Sequence, residues 1–103
     1  MSDTSFPERE RGYESKFVRD EEYHFRLLAR RDKLLAAWAA DQLGLADEAR
    51  GALVAQILAV DGHPAHDAAV IAAVQAAGVK ADAAEIAAVM TRCAAEADRQ
   101  LQA

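Results

Sequence analysis

The chain has 103 residues, a formal net charge of −5, an apolar fraction of 52% that is rich in alanine, and only 6% aromatic residues. That length suffices for one domain with one core and no metal or disulfide staples, and the acidic balance argues against nucleic acid as the main partner. The single cysteine, Cys93, forms no internal disulfide and fits a reducing cytoplasm. Met1 to Ser5 shows no basic stretch followed by an apolar run, so no secretory leader is expected. No apolar segment approaches the roughly 20 residues of a membrane helix, so any membrane association is expected to come through a partner.

Charge divides the chain in two. Residues 1–33 hold eight basic and eight acidic side chains, whereas 34–103 hold four and nine. Alanine is the best helix former and is depleted in strands, so the sparsely charged remainder reads as helices packed on small side chains.

Ser5-Phe6-Pro7-Glu8 has the form of a helix start: a serine cap, a proline in the first turn and a glutamate three residues on. Phe6, Tyr13 and Phe17 follow at i, i+7 and i+11, on one helical face. Gly12 lies between them and costs about 1 kcal/mol relative to alanine. Such a segment is marginal alone in water, so residues 1–20 are expected to be a loose arm that becomes helical against a partner. The bundle proper is expected over 21–103. Asp20-Glu21-Glu22 suits the first turn of its first helix, where carboxylates meet the positive end of the dipole. Leu28, Leu35 and Trp38, with Leu27 and Leu34 beside them, then mark an apolar stripe that Gly44 stops.

Asp47 is placed to cap a second helix carrying Leu53, Val54, Ile57, Leu58 and Val60, ended by Asp61-Gly62-His63-Pro64. A short third helix carries Val70, Ile71 and Val74 and stops near Gly78. Asp82 with Glu85 three residues later resembles a capping box for a fourth helix. Its stripe is the cleanest in the chain: Ile86, Val89, Met90, Cys93, Ala97 and Leu101. Four helices on short connections, with no strand-like alternation, predict an all-α antiparallel four-helix bundle with a flexible N-terminal arm.

No catalytic residue emerges. His63 and His66 near Asp67 tempt as metal ligands, but a usable site needs three or four at defined geometry, and no second cluster completes it. Cys93 reads as a buried thiol, Trp38 as a core residue and His24 as a solvated or half-packed side chain. Arg30-Arg31 with Lys33 either pairs with phosphate or covers the solvent side of the first helix, balanced by Asp32 and Glu22. A glycine-rich phosphate loop is missing from the sequence, which excludes a nucleotide-hydrolysing site of that type. The residues by themselves describe a helical interaction protein with a conditionally folded arm, and no enzyme.

One further observation concerns the order of residues. Phe6-Pro-Glu-Arg9-Glu10-Arg11, Glu14-Ser-Lys16-Phe17, Phe25, Ala29-Arg30-Arg31, Leu34-Leu35, Trp38-Ala39-Ala40 and Leu43-Gly44 resemble the alphaproteobacterial F-type ATP synthase zeta subunit family, whose members inhibit the ATPase. The resemblance is specific over residues 6–45 and rests on length and helix pattern from 46 to 103. It implies a four-helix bundle whose arm enters a catalytic interface of the synthase head beside the rotor stalk, among the alpha, beta and gamma subunits. There the arm would fold as a helix and block hydrolysis, with Phe6, Arg9, Glu10, Arg11, Tyr13, Glu14, Lys16, Phe17 and Arg19 as the contacts. The protein would then be cytoplasmic and peripheral at the inner membrane through the synthase. The resemblance also implies weak binding of ADP or ATP on the bundle with no required cofactor; Arg30, Arg31 and Trp38 are the candidate nucleotide contacts. Two alternatives stand beside it: an adenine-nucleotide-sensing bundle, and a helical adaptor of another complex.

Overall fold

Four helices make up the fold in a computed structural model, which describes the backbone of residues 5–60 and 66–102 and the side chains of 20–60 and 66–102. They are α1 (Ser5–Leu43), α2 (Asp47–Leu58), α3 (His66–Ala76) and α4 (Ala83–Gln102). The all-α antiparallel bundle expected from the sequence is therefore present, and no strand occurs among the described residues. Two expectations fall outside what is described: the side chains of the arm up to Arg19, and the Asp61-Gly62-His63-Pro64 turn.

α1 spans 39 residues and α4 spans 20. At about 1.5 Å per residue they run about 58 and 30 Å, so α1 sets the long dimension of a 61 × 26 × 21 Å particle. The helix start expected at Asp20-Glu21-Glu22 is not one, because α1 has already begun at Ser5. Upstream of those acids, charged residues with straight side chains favour helix, and Gly12 is too isolated to act as a stop.

The exits from α1 and α3 follow one pattern. Gly44, at φ 68°, donates to the Asp41 carbonyl, and Leu45 donates to Ala40 at 2.9 Å. Gly78, at φ 114°, donates to Gln75, and Val79 donates to Val74. Both are helix-ending motifs that need a left-handed residue, and glycine adopts that conformation without a Cβ penalty. The capping box of α4 forms as the sequence predicts. The Glu85 amide donates to Asp82 Oδ1 at 2.8 Å, and the Asp82 amide donates to Glu85 Oε1 at 3.0 Å.

Asp47 does not cap α2. Ala46 holds the capping position with extended backbone and makes no side-chain cap bond, while Asp47 is the first helical residue at φ 55°. The chain reverses within Gly44, Leu45 and Ala46, and that short reversal moves the cap one residue early. Asp47 and Glu48 still place two carboxylates in the first turn, at the favourable end of the dipole.

The core gathers Leu35, Ala36, Ala39 and Ala40 from α1 with Leu53 and Ile57, Val70 and Val74, Val79, and Ile86, Val89 and Met90. The three alanines of α1 are wholly buried, so neighbouring helices approach the backbone closely there. Trp38, Leu45, Val54, Ile71 and Cys93 pack against this core while remaining partly exposed. Leu58, expected inside, is 43% exposed near the end of α2.

Candidate functional site

Polar side chains concentrate where the middle of α1 meets the start of α3. Arg31 and Asp32 precede Leu35 by four and three residues, which puts them on its helical face, one turn beyond the alanine-lined core. They are 6% and 3% exposed, so the expectation that Arg31 and Asp32 help to cover the solvent side of α1 is corrected. The first turn of α3 supplies their partners, His66 and Asp67.

The resulting cluster is closed. Arg31 Nε and Nη2 donate to Asp32 Oδ1 at 3.0 and 2.8 Å, and Nη2 also donates to Asp67 Oδ1 at 2.9 Å. His66 Nε2 lies 2.8 Å from Asp32 Oδ2, so both carboxylate oxygens of Asp32 are engaged. Burial works against the Arg31 charge, but the hydrogen bonds to Asp67 and Asp32 outweigh it and push the guanidinium above its ordinary value. Among the described residues, every buried side-chain polar atom has a partner. The cluster thus ties α1 to α3 as a satisfied ion network.

Beside it lies an open recess of about 830 Å³, lined by His24, Phe25, Leu28, Ala29, Leu58 and Val60 together with the cluster. Phe25 is 70% exposed, an unusual position for a large aromatic. His24 is exposed too. Next to this recess α1 meets the last turns of α4: the Tyr23 hydroxyl donates to Asp98, and Arg30 Nη1 donates to Gln100 at 2.9 Å. Hydrogen bonds from Tyr23 and Gln102 hold the Asp98 carboxyl below its usual range, and the bond to Asp98 pushes the Tyr23 hydroxyl up. Asp98 lies one turn before the last residue of α4, so Tyr23 meets α4 close to that end.

Arg30, Arg31 and Trp38, the nucleotide contacts suggested by the sequence, are not brought together. Arg31 faces the α3 cluster with two of its three nitrogens committed to carboxylates. Arg30 faces α4, and Trp38 lies in a separate recess with Leu34, Val89, Arg92, Cys93 and Glu96. Cys93 is half-buried, and burial raises its thiol pKa despite the lowering influence of Arg92 and Arg31. Among the described residues no group of three or more His, Cys, Asp or Glu is arranged to hold a metal ion. His66 serves the ion network, and His63 lies outside the described residues.

Sequence reasoning missed the pairing of Asp32 with His66 and of Arg31 with Asp67. A signal existed in α1, because Leu28, Arg31, Asp32, Leu35, Ala36 and Ala39 keep helical core spacing through the two charges. Nothing in the sequence indicated that α3 would deliver the partners.

Comparison with known proteins decides the family. The sequence profile of the ATPase inhibitor subunit zeta family matches residues 3–100, nearly the whole chain. The chain belongs to that family. No curated protein and no solved structure gave a match. The zeta-family match covers α1 from its first residue, α2, α3 and all but the last two residues of α4. It also extends through 46–100, where the sequence resemblance rested mainly on length and helix pattern. The residues from Phe6 to Arg19 that the sequence suggests as arm contacts all lie on α1, and their side chains are outside the described residues.

Proposed function

We propose that this zeta-family chain is a regulatory subunit without catalysis of its own, which inhibits ATP hydrolysis by an F-type ATP synthase. Residues 1–20 enter a catalytic interface of the synthase head, bounded by alpha and beta subunits beside the gamma rotor, and block rotation in the hydrolytic direction. The observation that carries this reading is the family match, which runs through the arm as well as the bundle.

Coupled folding and binding supplies the mechanism. Phe6, Tyr13 and Phe17 fill apolar pockets in the closing interface, each full burial contributing roughly 1.5–3 kcal/mol. Arg9, Arg11, Lys16 and Arg19 pair with acidic groups around them, while Glu10 and Glu14 meet basic ones. This end of α1 is a helix that is marginal alone in water, so holding it in one conformation opposes this by up to about 1–2 kcal/mol per residue. Because the ordering cost offsets much of the gain, binding depends on the interface being in the right rotational state, and inhibition acquires a direction without chemistry on the inhibitor. No described helix is long and apolar enough to cross a membrane, so the place at the cytoplasmic face of the inner membrane comes through the synthase.

The test is ATP hydrolysis by the cognate synthase head with the full chain and with a chain lacking residues 1–19. Hydrolysis should fall with the first and be unaffected by the second. Full activity in the presence of saturating full-length chain would refute the reading.

A further inference from the structure

Three basic side chains of α1 beyond the arm are not neutralised by any carboxylate among the described residues. Arg26, Arg30 and Lys33 follow one another at i, i+4 and i+7 and line a shallow groove with Ala29, Leu58 and Leu101. All three cations are exposed. Among the described residues Arg26 and Lys33 make no hydrogen bond or ion pair, and Arg30 is held only by the neutral Gln100 amide. The nearest acids of α4 are engaged elsewhere: Glu96 with Arg99, and Asp98 with Tyr23. Glu22, one turn before Arg26, closes no ion pair with it.

This groove is continuous with the recess that carries Phe25, since Ala29 and Leu58 line both. Phe25 and Leu58 are the two large apolar side chains exposed among the described residues, at 70% and 43%. A Phe–Leu patch rimmed by three uncompensated cations, on a chain whose net charge is −5, is a surface of mixed character in one place.

From this juxtaposition we infer that Phe25 and Leu58, rimmed by Arg26, Arg30 and Lys33, form a second docking surface that seats an acidic segment of the synthase head bearing one apolar side chain. The inference rests on the proposed function and deepens it, because it assigns the bundle its own contact just behind the arm. Charge complementarity selects the occupant. A flat anionic membrane would also meet the exposed Asp20, Glu21 and Glu22 on the preceding turns of α1, whose charges repel it. A protein segment instead meets the cations pairwise and gives Phe25 a pocket. Such a rim acts chiefly on the rate of encounter, and the aromatic on the lifetime of the complex.

The experiment follows association and dissociation of the full chain on the isolated hydrolytic head of the cognate synthase, alongside inhibition. The paired substitution Arg26→Glu with Lys33→Glu should slow association about tenfold at low salt and flatten its salt dependence. Phe25→Ala should leave association unchanged and raise Kd about 10- to 100-fold through faster dissociation. None of these side chains contributes to the core, and unchanged helical circular dichroism checks that. A photo-crosslinking residue at position 25 should capture an acidic segment of the head. Parent-like kinetics in both variants, with the parent still inhibiting, would overturn the docking surface alone. So would crosslinking only to a second copy of the chain, or loss of binding to anionic vesicles in place of the head. A parent chain that never engages the head would overturn this surface and the inhibitory reading together.

Discussion

Leu34–Leu43 and Asp20–Lys33 are consecutive stretches of the same helix, yet they are held by different physics. The later stretch carries Leu35, Ala36, Ala39 and Ala40 into the core, where small side chains let the neighbouring helices close on the α1 backbone. The earlier stretch has no comparable apolar stripe. It is tied to α3 by the Arg31–Asp32–His66–Asp67 network and to α4 by Tyr23 and Arg30, and it leaves Phe25 in solvent. Apolar packing is non-directional and tolerates only close fit, whereas an ion network fixes one relative placement of two helices. One stretch supplies stability, while the other fixes how α1 sits against α3 and α4.

The largest effect is expected where a charge would be stranded. Arg31→Met leaves Asp32 buried without its guanidinium and should cost about 3–5 kcal/mol in urea unfolding. Adding Asp32→Leu to that variant should recover most of the loss, because an apolar pair replaces a buried charged one. If the double variant is no better than the single, the network contributes net stability as well as placement, and the contrast between the stretches breaks down.

In the apolar stretch, Leu35→Ala should cost about 2–5 kcal/mol, with no second-site change nearby that restores it, since the vacated volume closes only partially. A loss well under 1 kcal/mol by the same unfolding measurement would mean that the alanine-rich core is loosely packed there.

The smallest effect concerns the α4 flank. Tyr23→Phe removes the hydroxyl that holds the Asp98 carboxyl down, so Asp98 should titrate closer to an ordinary carboxylate, as followed by side-chain NMR. The sign follows from linkage. A depressed folded carboxylate contributes stability above the unfolded value and loses it as pH falls through the folded one. The raised Tyr23 hydroxyl contributes below its unfolded value of 10.0 and loses that as pH rises through the folded one. Between those limits the contact is pH-independent, and an Asp98 titration unchanged in the variant would show that Gln102 alone holds it down.

Several features were legible in the linear pattern because their causes are local. Asp82 and Glu85 satisfy each other's amides within one turn, and Gly44 and Gly78 take left-handed conformations that ordinary side chains resist. The stripe of Ile86, Val89, Met90 and Ala97 faces inward because its spacing matches the helical period. The zeta-family affiliation was legible too, in the order of charged and aromatic residues over 6–45, and the profile match extends it over 3–100.

Only the tertiary structure decided which charges are buried and which apolar side chains are exposed. Arg31 and Asp32 stand on the core face by spacing, but the same spacing permits a solvated salt bridge until α3 arrives with His66 and Asp67 from more than thirty residues away. Leu58 matches its apolar neighbours in α2 and still emerges near the helix end, because the alanine core closes before reaching it. Caps and periodicity depend on neighbours within a turn. Burial of an ion pair depends on partners that only the packing of distant helices brings within hydrogen-bond range, and that placement is where the chemistry of this surface was set.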